Sequence, residues 1–93
     1  MGVKVKFFAT FRDKAGDSAT EVEANTAGEL LNKLADKYEE LGNSILEENG
    51  PEPELKSGVT VMVNGRNISF LSGNDTELEE SDNVAIFPPI GGG

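Results

Sequence analysis

Residues 26–42 can form one amphipathic helix with one face to bury, and that restricts the fold more than any other stretch. Thr26 followed by Glu29 fits a capping box, in which each side chain satisfies a backbone donor at the helix start. Ala27, Leu30, Leu31, Leu34, Ala35, Tyr38 and Leu41 then fall at offsets 0, 3, 4, 7, 8, 11 and 14, a single apolar stripe. Glu29 and Lys33 pair along the wet side, and Gly42 is placed to end the helix. One stripe covers one face of one sheet.

The rest of the chain supplies that sheet in short pieces. "VKVKFFA" (3–9) alternates, with Val3, Val5 and Phe7 on one face and Lys4 and Lys6 on the other. A turn at 13–18 leads to a second alternating segment at 19–24, which predicts a hairpin. Residues 43–58 read as a long acidic loop that Ile45, Leu46 and Leu55 pin down; its two prolines exclude a central strand. "VTVMV" (59–63), "NG" (64–65) and "RNISF" (66–70) form the strongest hairpin signal in the chain. A helical turn around Leu78 precedes the last strand, "VAIF" (84–87), which Pro88 ends.

Strand, strand, helix, strand, strand, turn, strand is the order of a β-grasp. The fold class is α+β: a mixed sheet of four or five strands with one main helix packed on one face. Residues 1–89 form the domain and residues 90–93 a flexible C-terminal tail. Parallel pairing of the first and last strands follows from the fold class, because periodicity does not reveal it.

Composition removes most catalytic chemistry. Cysteine and histidine are both absent, so there is no thiol nucleophile, no thiolate metal site and no imidazole base. A self-sufficient enzyme is not expected, and no metal or cofactor is expected on this chain. The net charge of −9 disfavours nucleic acid and anionic membrane, and favours either plain solubility or a partner with a basic docking face. No apolar run approaches the roughly 20 residues of a membrane span, and the N-terminus reads as a strand, so a cytoplasmic monomer is expected. The acid pairs Glu39-Glu40, Glu47-Glu48 and Glu79-Glu80 lie in polar stretches and read as solvated faces. The run from Asp75 fails as a calcium loop, with Glu80 where glycine is needed and Ile86 where a bidentate glutamate is needed. Phe8 and Phe11 read as core packing or as a partner-facing apolar patch.

What remains is the end, "FPPIGGG" (87–93). Pro88 and Pro89 fix φ and donate no hydrogen bonds, so they stop the sheet and project the chain outward. Ile90 to Gly93 reach at most about 14 Å beyond. A segment without side chains, Gly91 and Gly92, passes through a channel barely wider than a backbone and delivers the Gly93 carboxylate to a deep site elsewhere. A free carboxylate is a poor electrophile; adenylation by ATP activates it. Attack by a persulfide then yields a thiocarboxylate, and attack by a lysine amine an isopeptide bond. A frayed end on a plain interaction module is the competing reading.

"KFFATFRDKAG" (6–16), the helix, "VNG" (63–65) and "DNVAIFPPIGGG" (82–93) together resemble the small subunit of molybdopterin synthase. They also resemble the small archaeal ubiquitin-like modifier proteins, which share its β-grasp fold. The resemblance implies that Gly93 is adenylated by a ubiquitin-activating-type enzyme, which uses ATP and magnesium, and is then thiocarboxylated or conjugated to lysines of target proteins. It implies that Phe87, Pro88, Pro89 and Ile90 lie at the docking surface for the large synthase subunit or the activating enzyme. Gly91 makes three glycines where many members end in two, and the 43–58 loop is longer and more acidic than in the shortest members. Thiamine-type sulfur carriers share the tail but are usually shorter and lack "FATFRD". Were residues to follow Gly93, a protease would first have to expose it.

Overall fold

A computed structural model describes residues 2–47 and 53–89. The elements are β1 (Val3–Phe7), α1 (Thr10–Ala15), β2 (Ala19–Val22), α2 (Ala27–Lys37), α3 (Glu39–Ile45), β3 (Thr60–Val63), β4 (Arg66–Asn67) and β5 (Asn83–Phe87). The five strands form one sheet in the order β2-β1-β5-β3-β4. β1 and β5 run parallel, with Val5 beside Val84 and Phe7 beside Ile86. The other neighbours are antiparallel. The β-grasp expectation is met, including the pairing of first and last strands.

Alternation in the strands decides what is inside. Val3, Val5 and Phe7 of β1, Val84 and Ile86 of β5, and Val61 and Val63 of β3 all point toward α2. Leu30, Leu31 and Leu34 meet them and are fully buried. Full burial stabilises each such side chain by roughly 1.5–3 kcal/mol, which is why the stripe dictates the layer. At the helix start, the Glu29 N–H donates to Thr26 Oγ1 at 3.2 Å. The Glu29 carboxylate reaches the N–H of Asn25 at 2.7 Å, one residue before the cap.

The single stripe belongs to two helices. Tyr38 takes φ −127° and ψ 88°, so α2 ends there and α3 starts. Its ring stands edge-on to Phe7 at 5.5 Å, and its hydroxyl donates to Asp17 at 2.8 Å. Gly42 does not stop a helix; it lies inside α3, where a Cβ would sit 2.7 Å from Ala35. Glycine there lets α3 cross α2 at close range. The presumed turn at 13–18 overlaps a six-residue helix, α1, ended by Gly16 in the left-handed region. Between α3 and β3 the chain is held by the paired Leu46 and Leu55 and by bonds from Glu47 to Glu54 and Lys56 to Ile45. The return strand is two residues long, because Asn67 caps a 3-10 turn over Ile68–Phe70. The helical turn expected at Leu78 occurs earlier, at Gly73–Asp75, while Glu77 bridges to Thr26 and Leu78 is buried.

Two glycines with almost the same backbone differ in what surrounds them. Gly65 has φ +85° in the Asn64-Gly65 turn, and an added Cβ would meet nothing within 4 Å. Gly58 has φ +87°, and its Cβ would fall 2.8 Å from Cβ of Pro89. The loop before β3 therefore backs the chain as it leaves β5. Both Gly→Ala changes incur left-handed strain of about 1–2 kcal/mol, but only Gly58→Ala also collides with Pro89. We expect chemical denaturation to show a larger loss for Gly58→Ala than for Gly65→Ala, with the Phe87 amide shifted in the former alone.

Candidate functional site

β5 is the central strand, and its outward residues decide what the end of the chain emerges beside. Phe87 points away from α2, paired with Thr60 of β3. On the other side β1 has ended, and the Phe8 N–H donates to Ile86 carbonyl oxygen at 3.3 Å. That bond carries Phe8 onto the same outer face, where its ring stacks on Phe87 with centroids 4.5 Å apart and planes 17° from parallel. Such offset stacking adds roughly 0.5–1.5 kcal/mol beyond area burial.

Ala9 then turns the chain into α1 with φ +54° and ψ −130°, a conformation that non-glycine residues rarely take. The turn is held by Phe11 N–H on Phe8 carbonyl oxygen and by Arg12 N–H on Ala9 carbonyl oxygen, both at 3.1 Å. It draws Phe11 inward, where it is 3% exposed. The expectation of a partner-facing Phe11 is thereby corrected: Phe11 is a core residue where α1 packs on α3. Phe8, partly exposed, stays on the surface.

Phe8, Ala9, Thr60, Phe87, Pro88 and Pro89 line an open cleft of about 450 Å³ whose walls are almost wholly apolar. Pro89 is the last described residue, seated against Gly58. Of the residues expected at the docking surface, Phe8, Phe87, Pro88 and Pro89 are thus together. Ile90, Gly91, Gly92 and Gly93 lie outside the described residues. Lys6 and Arg12 line a second, smaller depression that shares Phe8 with the first. In a chain of net charge −9, the flank of this platform is locally cationic. The apolar surface is edged here with bases, opposite in sign to the net charge.

Sequence reasoning missed Ala9, Gly58, Thr60 and the cationic flank. Alanine carries no signal for positive φ. "SG" before a strand did mark a turn, but not its contact with a residue 31 positions later. Among the described residues, no buried side-chain nitrogen or oxygen lacks a hydrogen-bond partner. The arrangement suits docking at the apolar cleft where the chain leaves β5.

Comparison with known proteins places this geometry. The ThiS family matches residues 5–93. Small archaeal modifier protein 3 of Haloferax volcanii is 34% identical over the full length of both chains. A proposed sulfur carrier of Archaeoglobus fulgidus is 31% identical, again over both full lengths. Among solved structures, small archaeal modifier protein 1 of Methanosarcina acetivorans superposes with a TM-score of 0.90 at 35% identity, covering 98% of this chain and 95% of that one. A proposed subunit 1 of a molybdopterin converting factor from Pyrococcus furiosus gives 0.73 at 30% identity, covering 95% and 97%. The chain belongs to the ThiS family, among ubiquitin-like β-grasp proteins named as sulfur carriers and small modifiers.

Proposed function

We propose that the Gly93 carboxylate is the reactive group and that the protein is a substrate of an activating enzyme rather than a catalyst. The observation that carries the reading is the apolar Phe8–Phe87–Pro88–Pro89 platform at the point where the chain leaves β5. A docking surface there holds the body of the protein while Ile90 to Gly93 enter the partner's site. Preorganisation of this kind turns a bimolecular encounter into an oriented one.

In the first step a carboxylate oxygen of Gly93 attacks the α-phosphorus of ATP, held with magnesium by the partner. Pyrophosphate leaves and an acyl adenylate forms. The carbonyl is now an electrophile with AMP as leaving group. A persulfide displaces AMP to give an acyl disulfide, and a thiol reduces that to the thiocarboxylate while itself becoming a disulfide. The sulfur then passes, in the large subunit of a molybdopterin synthase, to a pterin precursor. Gly91 and Gly92 let the end approach the reacting atoms without side-chain clash. With no cysteine in the chain, sulfur is carried only on the terminus.

A second reading is favoured by the small archaeal modifier proteins among the matches. There a lysine amine attacks the adenylate, or a thioester derived from it, and an isopeptide bond results. Both branches share the adenylate, so the acceptor decides the product.

Two outcomes are expected. Mass spectrometry of N-terminally tagged protein from its own cells should place sulfur on Gly93, or find a glycine remnant on lysines of other proteins. An unaltered carboxylate with no conjugates would refute both branches. Separately, Phe87→Asp should lower the rate of ATP–pyrophosphate exchange by the activating enzyme at least tenfold, the size of a central interface contact, while circular dichroism stays unchanged. Exchange at the wild-type rate would remove the platform from the mechanism.

A further inference from the structure

A second surface lies at the far end of the sheet. β3 is antiparallel to β5, so Val63 at the end of β3 lies beside Val84 near the start of β5. Pro89 leaves from the opposite end, about 16 Å along a five-residue strand. Beside that remote end is an open cleft of about 690 Å³ with an apolar floor of Val63 and Leu71 and a rim of Asp75, Glu77, Glu79 and Asp82. Arg66 is the one base among its lining residues.

Three features say what the cleft takes. Leu71 is 39% exposed and Phe70, just before it, is 86% exposed. They are the exposed large apolar side chains among the described residues, held by a 3-10 turn that Asn67 caps. Leu71 lines the cleft and Phe70 adjoins it in sequence, so the two form a patch rather than a scattered side chain, and patches mark interaction sites. The second feature is charge: four acids against one base. Asp82 is tied into the turn, accepting from Asn64 at 3.1 Å and from the Glu79 N–H at 2.8 Å, whereas Asp75, Glu77 and Glu79 are exposed. The third is spacing. Among the described residues no three acids converge to hold a metal ion, so the charges are spread along the rim. Spread charge beside an apolar floor complements several cations carried on a chain. A second copy would bring the same acidic rim against itself in a protein of net charge −9.

We propose that this cleft binds an extended peptide segment in which lysine or arginine side chains flank one apolar side chain, at a site separate from the Phe8–Phe87 platform. The cations meet Asp75, Glu77 and Glu79, and the apolar side chain lies on Val63 and Leu71, with Phe70 beside the cleft. The cleft is therefore open to such a segment while the other end of the sheet is engaged. The inference stands apart from the chemistry of Gly93.

The full chain, labelled with 15N, is titrated with the acetylated, amidated peptide Lys-Lys-Phe-Lys-Lys and with its counterpart Glu-Glu-Phe-Glu-Glu. The basic peptide should give saturable shifts centred on Leu71, Glu77 and Glu79, and the acidic one none. Phe70→Ser and Leu71→Ser should each weaken Kd at least fivefold with the rest of the spectrum preserved, and Glu77→Lys with Glu79→Lys should abolish binding. Deletion of Gly93 should leave Kd unchanged, which separates this site from the terminal chemistry. Shifts spread evenly over every acidic surface, shifts centred on Phe8 and Phe87, or unaltered Kd in both serine variants would overturn the proposal.

Discussion

The parallel pairing of β1 with β5 is the constraint on which the remaining architecture depends. It joins residues near the two ends of the chain, with Lys4 beside Asn83 and Phe7 beside Ile86. Because β5 sits between β1 and β3, the C-terminal segment leaves from the middle of the sheet and not from an edge. Phe8 follows β1 out of the sheet at the same end as Phe87 follows Ile86, so the two aromatics are brought into contact. The platform is a direct outcome of strand order. An edge position for β5 would have left the same residues without a partner on one side.

The molecule divides its surface by chemistry. Its inner layer is closed and apolar, with α2 over the sheet. One end of the outer surface carries proline, stacked phenylalanine and a cationic flank. The other carries an exposed turn and an acidic rim. The chain has neither cysteine nor histidine, and the described surface near the end of β5 is shaped by stacked rings and prolines. Glycine at 42 and 58 permits close approach within the described fold.

Most of the fold was legible because it rests on alternation and on one helical stripe. The strands at 3–7, 60–63 and 83–87 and the start of the helix fall where the pattern puts them, within a residue or two. What was not legible depended on contacts distant in sequence. Tyr38 breaks the helix where its ring meets Phe7 and its hydroxyl finds Asp17, and neither partner is visible from the helix sequence. Phe11 and Phe8 look alike as residues, yet the positive φ at Ala9 sends one inward and leaves the other outside. The candidate site was half legible: Phe87, Pro88 and Pro89 from the tail motif, but not the loop that backs them. "RNISF" has strand propensity throughout, and the local bond from Ser69 to Asn67 overrides it after two residues.

The strand order also sets a sequence of events in time. Residues 83–87 are made after the other four strands, and the five-stranded sheet does not close without them, since β1 and β3 are joined only through β5. Joining Lys4 to Asn83 closes a loop of nearly the whole chain, a slow step for a domain of this size. During synthesis the N-terminal hairpin and helix wait with an open apolar face until the final strand arrives. The same last stretch of chain carries both the strand that completes the core and the glycines that follow it. A copy cut short before residue 83 lacks both at once, so the strand that closes the core and the glycines after it are lost together.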